Sequence, residues 1–144
     1  MLKTIKSSAA KKATGTFAIV ASRYNARFVD AMVRAAGAEL RRAGARVRVV
    51  RVPGAYEIPI VAARLARSSR NTEPATRVSG ILCLGVILRG ETTHAAHIGE
   101  AVSRALMDIQ VTHGVPVIHE VLLLENEQQA KVRCLEPKHN RGRE

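Results

Sequence analysis

An anion-binding turn and a proton-transfer histidine could both be built from one heptapeptide, Leu88-Arg89-Gly90-Glu91-Thr92-Thr93-His94. The apolar run Ile81 to Leu88 empties there into a glycine, two hydroxyls and an imidazole. If the run is a buried strand and a helix follows, free backbone N–H groups and the positive end of the helix dipole face whatever lies above the junction. That arrangement suits a phosphate. A histidine just inside the helix adds a group that moves protons near neutral pH. Taken alone, the segment reads equally well as an ordinary strand-to-helix turn with Thr92 or Thr93 as N-cap.

The elements that must position this junction follow from hydrophobic periodicity. Phe17 to Ser22 is an apolar run that ends in polar residues, as a buried strand feeding a loop would. Asn25 offers an N-cap for a helix in which Phe28, Met32, Ala36, Leu40 and Ala43 recur at helical spacing, and Gly44 stops it. Ala45 to Val52 alternates Arg with Val and reads as a second strand, with Arg46, Arg48 and Arg51 expected on an edge or a partly exposed face. A second helix spans Glu57 to about Ser69, a third strand Val78 to Leu88, and a third helix about Thr93 to Thr112, closed by Gly114. Val115 to Leu124 is the fourth strand, and Glu125 to Arg133 is helical until Pro137 breaks it.

Strands alternating with helices predict an α/β fold, a three-layer α/β/α sandwich around a mainly parallel four-stranded sheet. Ligands of such sheets lie beyond the carboxyl ends of the strands. The rule gathers Tyr24, the segment Gly54 to Glu57, the segment Gly90 to His94, and His119 onto one rim. Residues 1–15 are expected to be a flexible basic tail, and 16–144 one domain.

Composition narrows the function classes. The core must be aliphatic, because 47% of the 144 residues are hydrophobic and only 3% aromatic. Two distant cysteines, Cys83 and Cys134, form no disulfide framework and no paired metal motif, so they read as reduced thiols of an intracellular, cytoplasmic protein. No secretory core or membrane span is visible. The net charge of +11 raises a nucleic-acid interface, but the basic residues are scattered and few aromatics are available to stack bases. No nucleic-acid and no membrane partner is expected. His94 and His97 form His-x-x-His, for which no third metal ligand is evident.

Taken in order, Ser22-Arg23-Tyr24-Asn25, Val52-Pro53-Gly54-Ala55-Tyr56-Glu57-Ile58-Pro59, Gly85 to His94, Gly114-Val115-Pro116-Val117, Glu127-Gln128-Gln129-Ala130 with Arg133, and Asn140-Arg141-Gly142 resemble the 6,7-dimethyl-8-ribityllumazine synthase family. The resemblance runs from about residue 17 to 144. It implies a flavodoxin-like fold and a transferase that condenses 5-amino-6-(D-ribitylamino)uracil with 3,4-dihydroxy-2-butanone 4-phosphate, without a metal or redox cofactor. It implies that His94 transfers protons and that Gly90, Glu91, Thr92 and Arg133 bind phosphate, Gly90 and Glu91 through backbone N–H. It further implies that Tyr24 stacks on the heterocycle, that Ala55, Tyr56 and Glu57 bind the ribityl chain and uracil, and that Ile87 and Leu88 form the wall.

Some positions depart from the family pattern. His119 stands where the family commonly has Phe, in a site shared between neighbouring subunits. Leu122-Leu123-Leu124 replaces a Thr-rich run, Arg141 replaces a Lys, and relatives continue into a C-terminal helix. Self-association is implied, as a pentamer or as multiples up to an icosahedral assembly. The alternative is a non-catalytic shell-forming protein of the same fold, suggested by those departures and opposed by intact Glu57, His94 and Arg133.

Overall fold

The computed structural model describes residues 12–70, 73, 74 and 77–144. Four parallel strands, β1 (Thr16–Ser22), β2 (Arg46–Val52), β3 (Gly80–Leu88) and β4 (Val117–Leu124), form one sheet in the order β2-β1-β3-β4. Helices α1 (Ala26–Arg42), α2 (Ile58–Ser68) and α3 (His94–His113) connect them. A short α4 (Glu127–Ala130) runs into a wide π turn, Lys131–Leu135.

Two apolar layers explain why the sheet is sandwiched. On one face, α2 and α3 press Ile58, Leu65, Val102 and Leu106 against Ala18, Ile81 and Cys83. On the other, α1 and the segment carrying Ala130 and Cys134 cover Ile19, Leu84 and Val86 with Val29 and Met32. The inner strands β1 and β3 are apolar on both sides, as a doubly covered parallel sheet requires. The edge strand β2 carries the arginines, and alternates with valine as expected of a half-exposed strand. The chain is therefore a three-layer α/β/α structure of flavodoxin-like order.

This order fixes where a ligand can bind. From β1 the chain crosses outward to β2, returns past β1 to β3, and continues to β4. Crossovers on the two sides of the β1–β3 boundary thus diverge, and a crevice opens above the carboxyl ends of those two strands.

Several boundaries differ from the sequence reading. Strand β4 starts at Val117 rather than Val115, and β3 at Gly80 rather than Val78. Pro116 has no N–H to donate, and contributes only its carbonyl, to Ile81 N–H. The expected helix over 125–133 is only four residues of α-helix plus the π turn, started by Asn126, whose side chain accepts from Gln129 N–H at 3.0 Å. Asn25 does not act as the expected side-chain N-cap of α1. It sits in the left-handed region at φ 56°, from which its side chain makes no capping bond. Of the basic tail, residues 1–11 lie outside the described residues. Ala13 N–H donates to Ala43 O, and Gly15 O accepts from Arg46 N–H.

Candidate active site

A cleft of about 850 Å3 lies at the diverging crossovers, between the carboxyl ends of β1 and β3 and the amino ends of α2 and α3. Its size falls within the range of small-molecule sites, about 300–1,000 Å3. Tyr24 enters it from the loop after β1. Gly54, Ala55, Tyr56 and Glu57 enter from the single 3₁₀ turn after β2. Val86, Ile87 and Leu88 come from the end of β3, Gly90 and Thr92 from the next loop, and His94, Ala95, His97, Ile98 and Ala101 from α3.

Each group is held by a local device. Glu57 turns back so that its Oε2 accepts the Gly54 N–H at 2.8 Å, which ties the 3₁₀ turn and leaves the other carboxylate oxygen unused by that bond. Neither Thr92 nor Thr93 caps α3 through the expected Ncap geometry. Thr93 makes no side-chain cap bond, and Thr92 Oγ1 meets the His94 N–H only at 3.4 Å. The orphan donors of the first turn therefore keep capacity for a ligand. Gly90 has no left-handed φ, and a Cβ placed there would meet nothing within 4 Å. Neither turn geometry nor packing within this chain demands glycine at that position. The absence of a side chain leaves the backbone open to close approach from above the cleft.

The aromatic rings are presented rather than packed. Tyr24 is 74% exposed and Tyr56 65% exposed, although both line the cleft. His94 and His97 stand three residues apart on one face of α3, and both line it. Among the described residues, no group of three or more His, Cys, Asp or Glu is placed to hold a metal ion.

One chain thus brings together Tyr24, Ala55, Tyr56, Glu57, Ile87, Leu88, Gly90, Thr92 and His94. It does not bring in Glu91, His119 or Arg133. Glu91 lies between two lining residues but is exposed and outside the cleft. His119 does not join the carboxyl rim as expected: it is the third residue of β4, in register with Cys83. There its Nδ1 accepts the Val121 N–H at 3.2 Å and its Nε2 lies 2.7 Å from Ser103 Oγ, which itself donates to Gly99 O. That network requires the Nε2–H tautomer. Arg133 is exposed on the π turn, packed with α1 on the opposite face of the sheet from α2 and α3.

Lining residues that the sequence reading did not single out are Val86, Ala95, Ile98 and Ala101. Their spacing from His94 puts Ile98 and Ala101 on the face of α3 that carries His94 and His97.

Residues 14–144 match the family of 6,7-dimethyl-8-ribityllumazine synthase. The chain belongs to that family. It is 40% identical over 131 residues to the 6,7-dimethyl-8-ribityllumazine synthase of Stenotrophomonas maltophilia (strain R551-3), covering 89% of this chain and 80% of that protein. It is 39% identical over 134 residues to the enzyme of the same name from Xanthomonas euvesicatoria pv. vesicatoria (strain 85-10), covering 91% and 82%. The lumazine synthase family is therefore matched across all four strands and the whole cleft. Among the described residues no helix is long and apolar enough to cross a membrane.

Proposed function

We propose that this chain condenses 5-amino-6-(D-ribitylamino)uracil with 3,4-dihydroxy-2-butanone 4-phosphate to 6,7-dimethyl-8-ribityllumazine, releasing phosphate and water, in the riboflavin pathway of the cytoplasm. The observation that carries this reading is the cleft itself. An imidazole, an open glycine backbone with under-used helix-start donors, two exposed phenol rings and a carboxylate line one cavity at the sheet's switch point.

The chemistry asks for approach and proton movement. The uracil amine attacks the ketone carbon and water leaves, giving an imine. A proton then departs from the hydroxyl-bearing C3 as the C4–O bond to phosphate breaks, the resulting enol takes a proton at C4 to become a C3 ketone with a new methyl group, and the ribitylamine nitrogen closes the ring on that ketone with loss of water. Holding two reactants in register supplies much of the rate in such a sequence. Tyr24 offers a face for the heterocycle. Ala55, Tyr56 and Glu57 offer backbone and carboxylate partners for the ribityl hydroxyls and uracil, and Ile87 and Leu88 form the wall. Gly90, Glu91 and Thr92 present N–H and hydroxyl donors to the phosphate, and His94 carries the protons.

Arg133 and His119 belong to the same site through a neighbouring copy. Both are exposed and both are displaced from the cleft of their own chain. The α3 and β4 side also leaves Met107, Val111, Ile118 and Leu123 exposed, apolar surface of the kind that an interface covers. A closed pentameric ring places each copy's arginine against the next copy's cleft, and larger icosahedral shells are multiples of that ring.

The test is incubation of the purified protein with both substrates while lumazine absorbance is followed, with sedimentation run alongside. Lumazine formation by a pentamer or a multiple of it is expected. A folded protein that forms no lumazine would contradict the assignment.

A further inference from the structure

We propose that Asn25 is a positioning residue of the cleft, setting Tyr24 over the sheet end by donating its side-chain amide to the Val86 carbonyl. The inference rests on the reading of Tyr24 as the face that receives the uracil. Three observations carry it, and the first is conformational. Asn25 is the sole non-glycine residue with positive φ among the described residues, at φ 56° and ψ 41°. Asparagine tolerates that region better than most residues, yet the conformation still carries a cost that something nearby must offset.

The second is what the side chain does from there. Its Nδ2 donates to Val86 O at 2.8 Å, across 61 residues of sequence. The β1–β3 ladder ends at the pair Ala21 and Leu84, whereas β3 continues beside β4 as far as Leu88. At Val86 the β1 side of β3 therefore has no strand neighbour. The Asn25 amide takes the place of the missing ladder donor, and a lining residue of the cleft is kept satisfied.

The third is the position of Tyr24 between two anchors. On the side of β2, Arg23 N–H donates to Val52 O at 2.8 Å and Tyr24 N–H to Pro53 O at 3.0 Å. On the side of β3, the neighbouring Asn25 holds Val86. The ring of Tyr24, 74% exposed, has little packing of its own to fix it. Its backbone must set where it stands, and Asn25 supplies one of the two sides of that setting.

The chain offers a direct readout. It has two tyrosines and no tryptophan, and both tyrosines line the cleft. Near-UV circular dichroism of tyrosine thus reports on this cavity alone. The experiment compares the wild-type protein with Asn25→Gly, which keeps the positive φ but loses the amide, and with Asn25→Asp, which keeps the size but cannot donate.

With 5-amino-6-(D-ribitylamino)uracil varied at saturating phosphate substrate, Asn25→Gly should raise KM about tenfold, the worth of one lost positioning hydrogen bond. Its kcat and the KM for 3,4-dihydroxy-2-butanone 4-phosphate should hold within about twofold. Asn25→Asp should raise the uracil KM at least as much, and both variants should lose tyrosine dichroism while keeping the far-UV spectrum.

Folded variants with wild-type uracil KM and wild-type tyrosine dichroism would overturn the proposal. So would variants that fail to fold, or whose two KM values rise together with a fall in thermal stability, since either result makes Asn25 a general support of the fold. If the wild-type protein forms no lumazine, the functional reading fails. The tyrosine signal of the variants then still decides whether Asn25 positions Tyr24.

Discussion

Arg141 meets Glu120 with two prongs, Nε to Oε2 at 3.2 Å and Nη2 to Oε1 at 3.0 Å, and the Arg141 N–H donates to Arg133 O at 2.8 Å. Arg141 is thus engaged within its own chain. It fastens the C-terminal segment to β4 directly behind the π turn that presents Arg133. Around it, the Asn140 amide donates to Cys134 O at 2.6 Å, and any side chain on Gly142 would overlap the Met32 backbone.

Both members of this pair are largely buried, with 28% and 14% of their side chains exposed. Removing one partner leaves the other short of hydrogen bonds in a poorly solvated place. Arg141→Leu is expected to lower unfolding stability by about 1–3 kcal/mol, between the values of exposed and fully buried pairs. A urea titration checks this, and a midpoint equal to wild type would contradict it. The hydrogen bond to Glu120 also raises the pKa of Arg141, so its stabilising contribution is complete below the ordinary arginine value and no loss from it is expected near neutral pH.

The two thiols give a pH-dependent expectation. Burial pushes Cys83 up to about 12, and burial together with the Glu120 charge pushes Cys134 up to about 11. Neither forms thiolate at neutral pH, and the native protein should resist iodoacetamide while the urea-unfolded chain reacts at both sites. A group raised on folding stabilises fully below its unfolded value of 9.0 and loses that contribution as pH climbs through its folded value. Stability should therefore decline between pH 9 and the folded values of the two thiols, and less steeply in Cys83→Ala. Rapid labelling of the native protein at pH 7 would contradict the buried placement.

His94 lines the cleft at the first position of α3, so its replacement should strike chemistry and not structure. His94→Ala is expected to slow single-turnover lumazine formation by about 10²–10⁴-fold, the usual weight of a positioned acid or base. Sedimentation of the variant should match wild type. Unchanged turnover would remove His94 from the proton path.

Arg133 should act on one substrate only. Arg133→Ala is expected to raise KM for 3,4-dihydroxy-2-butanone 4-phosphate by about tenfold or more, the loss of a charge-assisted contact, and to leave the uracil KM nearly unchanged. Steady-state kinetics with each substrate varied in turn separate the two. Equal effects on both would point to a role in assembly instead.

The sheet and its three main helices were legible because their signals are strong. β1 and β3 are unbroken apolar runs, β2 alternates, and α1 and α3 carry apolar residues at helical spacing before a stopping glycine. The rim residues Tyr24, Glu57 and His94 were legible because each lies in or at the end of the short segment that leads from a strand's carboxyl end into the next helix. His119 was misplaced on that rim although a strand over 115–124 already put it mid-strand: it stands five residues before the carboxyl end of β4 at Leu124, and the later start at Val117 moves it further toward the opposite end. Asn25 was misread because a capping residue and a left-handed residue have the same composition signal. The positive φ and the contact with Val86, far away in sequence, distinguish them. The separation of Arg133 from His94 across the sheet was beyond periodicity altogether, because it depends on which face each crossover covers.

Under the proposed function, the cleft holds His94 from one copy and receives Arg133 from the next. His94→Ala and Arg133→Ala proteins can be unfolded together, refolded in equal amounts and assayed at limiting phosphate substrate. Random mixing leaves both residues intact in about a quarter of the interfaces between neighbouring copies. The mixed assembly should regain about that fraction of wild-type activity, although each parent alone is slow. A mixture no faster than the average of its parents would contradict the shared cleft.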